Sequence, residues 1–354
     1  MSRYMNRSYE NLSPYVPGEI PRERKYIKLN TNESPYPPSP GVIRCFNEEN
    51  GRSQRLYSDP ASRDLNRAIA GAAGMRQENI MSAGGSDEVL EDAFLAYGED
   101  GILCPDITYG FYPVLAALHH LDLKTIPLEE DFTVDVTKFF HAGRAVVLAN
   151  PNAPTGIYLK KDAIEAIVET NPDHVVIVDE AYVDFGNESM IPLTRRHDNL
   201  LVVQTFSKSR CLAGARIGFA CGNEELIRDL ERLRNSRNPY DVTRLSQLLG
   251  IEAVKDAAYY REIAGKIIST RDWTMRRLRE LGFDGPESSA NFVMVKHRTM
   301  SGSSIYQKLR EKGILVRHFD SERIRDYNRI TIGTRQEMEQ LIEALKEITD
   351  ESES

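Results

Sequence analysis

Between residues 79 and 222, short apolar runs alternate with polar or Gly/Pro segments and helical stretches. The runs fall at 79–83, 101–104 (GILC), 145–149 (AVVLA), 175–178 (VVIV), 200–204 (LLVVQ) and 217–222 (IGFACG). They are short, rich in β-branched residues and continuous rather than alternating, the pattern of strands covered on both faces in a mostly parallel sheet. The repeated strand–helix alternation predicts an α/β fold, a large sheet flanked by helices.

The flanks read differently. NTNESPYPPSPG, near the start, is too rich in proline for helix or central strand and predicts an extended arm over the surface. From about residue 255 a long charged helical stretch (AAYYREIAGKIISTRDWTMRRLRELG) is followed by SANFVMVK, a second helix, GILVRHF and NRITIGT. That order suits a smaller α+β domain with helices on one face of a short sheet. The expected organisation is an arm over 1–45 that joins the small domain, a large domain over 46–254 and the small domain over 255–354; the acidic tail after Ile348 is the one candidate for disorder. A chain of 354 residues is long enough for two such domains.

Composition narrows the function. With 41% hydrophobic and 28% charged residues and no apolar run long enough to span a bilayer, the chain has globular composition and no expected membrane span. A net charge of -8 argues against nucleic acid or anionic lipid as partner, because both demand clustered Lys and Arg. The first fifteen residues carry neither a signal core nor a transit pattern, so the expected location is the cytoplasm. The four cysteines form no C-x-x-C pair and are expected to be reduced. No H-E-x-x-H occurs, and neighbours such as His119 and His120 would diverge on a helix, so no metal site is expected.

Candidate chemistry gathers after the strand ends: Gly84, Gly85 and Ser86; Tyr109; Asn150 and Asn152; Asp179 and Tyr182; Ser207 and Lys208. Ligands of open α/β sheets bind at that edge. No G-x-G-x-x-G is present, which disfavours a dinucleotide. A pyridoxal cofactor needs a lysine for its aldehyde, an acid near its ring nitrogen, a donor for its ring oxygen and an anion cradle. Lys208 follows an apolar strand, where a partly desolvated amine becomes nucleophilic. Arg216 follows three small residues, and a guanidinium grips phosphate bidentately. In GGSDE, Ser86 opens a helix whose N–H groups and dipole favour an anion, although the same serine would serve as an ordinary N-cap. Asp179 closes VVIV, where its carboxylate would hold a pyridinium proton, and Tyr182 shares its face if a helix begins there; Glu180 should face away.

These strings together resemble the fold-type I pyridoxal-phosphate aminotransferases, most closely the histidinol-phosphate aminotransferases. LNTNESPYPPSP, RLYSDP, GGSDE, CPDITYGFYPV, NPNAPTG, VDEAYVDF, TFSKSRCLAGARIGFA, NPYDV, SANFVMV, GILVRHF and NRITIGT occur in that family's order. The resemblance implies pyridoxal 5'-phosphate held as a Schiff base by Lys208, with Asp179 on the ring nitrogen, Tyr182 on the ring oxygen and Tyr109 stacked on the ring. It implies that Gly85, Ser86, Asp87, Ser207 and Arg216 cradle the phosphate, and that Tyr57 reaches the phosphate of a neighbouring subunit in a homodimer. Tyr15, Arg317 and Arg329 would surround the acidic end of the amino donor and of 2-oxoglutarate. One departure stands out: the family usually has asparagine before the proline of N-P-N-N-P-T-G, contacting the ring oxygen, whereas this chain has Ala153. Tyr182 alone, or Asn152 turned inward, would then serve. Asp241 in NPYDV replaces a common asparagine. The implied reaction is transamination of L-histidinol phosphate with 2-oxoglutarate. Rivals on the same fold are an aromatic amino-acid aminotransferase and a threonine-phosphate decarboxylase; a non-catalytic ligand-sensing relative is the rival of another class.

Overall fold

The computed structural model describes residues 2–353, with side chains through residue 351. In the arm, β1 is a two-residue strand (Ile27–Lys28). Seven strands then build one sheet: β2 (Ile80–Ala83), β3 (Ile102–Pro105), β4 (Leu123–Ile126), β5 (Ala145–Ala149), β6 (Val176–Asp179), β7 (Leu200–Thr205) and β8 (Gly218–Cys221). Their order is β2-β8-β7-β6-β5-β3-β4. All neighbours run parallel except β8, which is antiparallel to both β2 and β7.

The continuous apolar runs follow from this placement. Val146, Val176, Val178 and Val202 face one core, while Val147, Ile177, Leu201 and Val203 face the other. Alternate side chains of one strand therefore enter two different helix layers, and neither face of the strand is turned to water. β4 has no such run: as an edge strand it exposes Lys124 and Thr125, and its LKTI carries no apolar signal.

A second, antiparallel sheet follows, made of β9 (Phe283–Asp284), β10 (Phe292–His297), β12 (Arg317–His318) and β13 (Tyr327–Thr331) in the order β12-β13-β10-β9; between them in sequence, β11 (Ile314–Leu315) pairs in parallel with β1. The arm is thus stitched to the C-terminal third, with Ile27 opposite Ile314. Helices Ala257–Glu280, Gly302–Glu311 and Arg335–Glu353 cover this sheet through a core that includes Phe292, Val293, Ile330 and Leu341.

Two expectations are corrected. The acidic tail is helical as far as it is described: the last helix continues from Arg335 to Glu353. Nor does a helix start at Asp179; residues 181–186 form successive turns, which carry Tyr182 back toward the strand end. Among the described residues no helix is long and apolar enough to cross a membrane.

Candidate active site

At the carboxyl edge of the large sheet a cavity of about 360 Å³ is lined by Ser86, Asp87, Tyr109, Asp179, Tyr182, Ser207, Lys208 and Arg216, together with Thr31, Glu33, Ala153 and Thr205. The topology explains the convergence. β5, β6 and β7 lie side by side with Ala149, Asp179 and Val203 in register, so the segments that follow them open into one space.

Asp179 is buried. Its Oδ2 accepts from the Tyr112 hydroxyl at 3.0 Å and its Oδ1 from the Ala181 N–H at 3.2 Å. Burial pushes its pKa up to about 6 against these two donors and the nearby Lys208. Glu180 turns to the opposite side, where Ser189, Gln204 and the Met190 N–H hold it, and burial raises it to about 7. The Lys208 ammonium reaches back to the Thr31 carbonyl at 3.3 Å and stands 5.8 Å from the Tyr182 ring centroid.

The anion cradle is built from backbone. The helix Ser86–Tyr97 is capped by Gly85, which has no side-chain acceptor to offer, so Ser86 is the first helical residue and its hydroxyl is not spent as a cap. Gly85 has φ +112°, and a Cβ there would lie 2.6 Å from Arg216 Nη2. Arg216 itself is left-handed (φ 49°), a strained state for a side-chain-bearing residue, which places its guanidinium over Gly85 and 3.3 Å from Asp87. Asp87 also accepts from the Tyr109 hydroxyl at 3.0 Å. Ser207 receives a hydrogen bond from Thr205 at 3.0 Å.

Gly218, read in the sequence only as part of a strand, proves necessary: a Cβ on it would lie 2.2 Å from the Ser86 nitrogen and 2.4 Å from the Gly85 carbonyl carbon. These are main-chain atoms that cannot swing aside. Gly218→Ala is therefore expected to weaken cofactor retention about 10- to 100-fold, the equivalent of the roughly 1–3 kcal/mol that overpacking costs. Dialysis of loaded protein followed by absorbance would measure this; full retention would place the cradle elsewhere.

A second cavity of about 520 Å³ adjoins the first and shares Tyr109 and Ala153 with it. Tyr15, Arg317 and Arg329 line it. Arg317 and Arg329 are direct cross-strand partners on β12 and β13. Like charges in that position repel, and burial together with Arg317 holds Arg329 below the usual guanidinium range. Arg329 donates to the Asn30 carbonyl at 3.1 Å, but its buried Nε has no partner among the described residues. Arg317 is held by the arm carbonyls of Val16 and Pro17, and Tyr15 packs edge-on against Phe111.

Asn152 and Tyr57 lie outside these cavities. Asn152 does not turn inward: its amide serves the Ile107 carbonyl and Thr155, and its Oδ1 accepts from Thr108, so it braces its own loop. Tyr57 is 77% exposed and stacks on Tyr240, away from the Lys208 cavity. Asp241 has a definite task, accepting the Gly84 N–H at 2.9 Å just before the cradle.

The residues present suit pyridoxal 5'-phosphate: an amine, a buried carboxylate, a phenol and an uncapped helix start with a guanidinium meet in one cavity of suitable size. Fold and site together are those of an aminotransferase, and residues 24–345 match the family model for aminotransferase class I and II. The chain belongs to that family. It is 46% identical over 350 residues to a histidinol-phosphate aminotransferase of Clostridium botulinum, covering 98% of this chain and 99% of the relative. It is 48% identical to histidinol-phosphate aminotransferase 1 of Bordetella parapertussis over 353 residues, again 98% and 99%. The crystal structure of histidinol-phosphate aminotransferase from Sinorhizobium meliloti, in complex with pyridoxal-5'-phosphate, superposes with a TM-score of 0.84 at 26% identity, covering 93% of this chain and 92% of that one.

Proposed function

We propose that this chain is a pyridoxal-phosphate-dependent aminotransferase that moves the amino group of L-histidinol phosphate to 2-oxoglutarate, a step of histidine biosynthesis. The observation that carries the substrate class is the paired Arg317 and Arg329 beside the Lys208 cavity. Two guanidiniums in cross-strand register, one with an unpartnered buried N–H, call for a dianion between them, and Tyr15 adds a phenol. A phosphate ester satisfies that demand, as does a carboxylate of 2-oxoglutarate in the second half-reaction. The full-length similarity to histidinol-phosphate aminotransferases supports the same substrate.

In this reading Ser86, Asp87, Ser207 and Arg216 hold the cofactor phosphate, Asp179 keeps the ring nitrogen protonated, Tyr109 covers the ring and Tyr182 meets the ring oxygen. When bound, the cofactor supplies an electron sink beside the substrate carbon. Lys208 Nζ would hold the cofactor and, when freed by the substrate amine, would serve as the base that takes the proton from the substrate carbon and as the acid that gives it back. We propose further that the chain divides into an arm over 1–45, a cofactor domain over 46–254 and a small domain over 255–354.

We also propose a homodimer. Asp87 and Arg216 line a further cavity of about 780 Å³ with Phe46, Asp241 and Leu249, so the phosphate cradle is open on a second side. An exposed Tyr57 from another copy would close it. The cytoplasm is the proposed location, in keeping with four cysteines that are all free.

The test is a half-reaction: loaded protein mixed with L-histidinol phosphate while the cofactor's visible band is followed. Conversion to the amine form of the cofactor supports the reading. A band that stays unmoved with this substrate but yields to an aromatic amino acid would reassign the donor, and carbon dioxide release from phosphothreonine would reassign the reaction. Arg329→Leu is expected to raise KM for histidinol phosphate about 10- to 100-fold, the loss of one or two charge-assisted hydrogen bonds. An unchanged KM would remove Arg329 from the site.

A further inference from the structure

Position 153 offers no side-chain hydrogen-bond donor, and in the proposed reading it is Tyr182 that donates to the cofactor ring oxygen on this side of the cleft. A phenol carries only one proton, and where it points depends on what else touches the oxygen. The structure places Asn32 there, 150 residues earlier in the chain, with Nδ2 at 2.9 Å from the Tyr182 hydroxyl. Asn32 is 1% exposed and left-handed, with φ 56°, a conformation asparagine tolerates better than most side chains.

Its orientation is not arbitrary. The Asn32 main-chain N–H donates to Thr331 Oγ1 at 2.9 Å, and the Thr331 hydroxyl donates to Asn32 Oδ1 at 3.0 Å. Asn291 Nδ2 donates to the Asn32 carbonyl at 3.0 Å. With Oδ1 directed to Thr331, the side that faces Tyr182 is the NH₂, which can only donate. The phenol oxygen therefore accepts from Asn32, and its own proton is left for the cleft.

We propose that Asn32 is a positioning residue: its amide, locked by Thr331, turns the Tyr182 proton into the cleft and so supplies the ring-oxygen donor that position 153 lacks. The inference rests on the reading of Tyr182 as the partner of the ring oxygen. The charged and titratable groups around that phenol are Lys208, Arg329 and Tyr109, with Glu33, Asp87, Asp179 and Arg216 also lining the cleft.

The experiment uses protein loaded with pyridoxal 5'-phosphate and reads the pH midpoint of its visible absorbance. A donor on the ring oxygen draws charge from it and eases release of the neighbouring proton, so losing the donor moves the midpoint upward. Tyr182→Phe sets the scale, with an expected rise of about one pH unit. Asn32→Asp keeps size and backbone tolerance but replaces a donor with an acceptor, which captures the phenol proton. It is expected to raise the midpoint comparably, and to add nothing once Tyr182→Phe is already in place. A rise of the same size in the Tyr182→Phe background would reveal a bare charge effect and overturn the proposal, as would an unmoved midpoint in Asn32→Asp beside a shifted Tyr182→Phe. An unmoved Tyr182→Phe would instead sink the ring-oxygen reading itself. Should Asn32→Asp not fold, Asn32→Gly suits the left-handed backbone and decides: a smaller upward shift supports the proposal and none overturns it.

Discussion

Lys208→Ala is expected to abolish transamination while leaving a folded protein that still collects the cofactor. The lysine lies in the loop after β7, and the one hydrogen bond of its side chain among the described residues is a long one, 3.3 Å, to the Thr31 carbonyl. Its removal leaves untouched the cradle at Ser86 and Arg216 and the carboxylate of Asp179. The proton transfer assigned to Nζ has no substitute: Asp179 is committed to Tyr112, and Tyr109 to Asp87. Loss of a positioned general acid–base alone is worth up to about 10⁴-fold, so kcat should fall by at least that order. Two measurements separate chemistry from damage. Borohydride should fix the cofactor covalently to the native chain at Lys208 and not to the variant, and the variant's melting temperature should stay near native. Turnover within about tenfold of native would remove Lys208 from the mechanism.

The parts of this site that were legible in the sequence are those whose signal is local. Lys208, Asp179 and Ser86 each follow or close a strand whose continuous burial writes an apolar run, so the run ends point to the sheet edge without knowledge of the topology. Arg317 and Arg329 came only through resemblance, since nothing in GILVRHF or NRITIGT states that β12 and β13 bring them opposite each other. What escaped depends on contacts across the chain. Asn32 lies in a proline-rich string that reads as loop, and its partners Tyr182 and Thr331 are 150 and 299 residues away. Gly218 was one small residue in an apolar run until the fold laid Ser86 against it. Asn152 failed in the opposite way. An asparagine beside the site looks available, but its amide is consumed by the loop that carries it. The apolar run before Asp179 does form a strand that ends there, but no helix follows it, because the turns at 181–186 carry no period that distinguishes them from a short helix.

Asp179→Asn should move stability and activity in opposite directions. Burial raises the Asp179 carboxyl to about 6 from an ordinary 3.8, so in the cofactor-free protein the folded state binds this proton more tightly than the unfolded state. The sign follows from linkage: the stabilisation is fully present below about pH 4 and is lost as pH rises through about 6, since the folded protein must then hold a buried anion. A difference of this size corresponds to on the order of 3 kcal/mol, at about 1.4 kcal/mol per pH unit. Asparagine keeps one acceptor oxygen where the carboxylate had two, so it loses the bond from either Tyr112 or Ala181, but it carries no charge, and the cofactor-free variant should melt higher than native at about pH 8 and no higher at about pH 4. Turnover should fall about 10³-fold, the scale of losing one preorganised electrostatic group, because nothing then holds a proton on the ring nitrogen. Adding cofactor should reverse the ranking in stability, for only the native carboxylate gains a cationic partner in the cleft. Scanning calorimetry of both proteins, with and without cofactor at the two pH values, measures these differences. Equal melting temperatures at the higher pH together with near-native turnover would show that the carboxylate does not face the ring. In the proposed function, the stability that Asp179 withholds from the empty protein would be returned when a cation binds beside it, a reason for a buried acid at the end of a strand otherwise filled with valine and isoleucine.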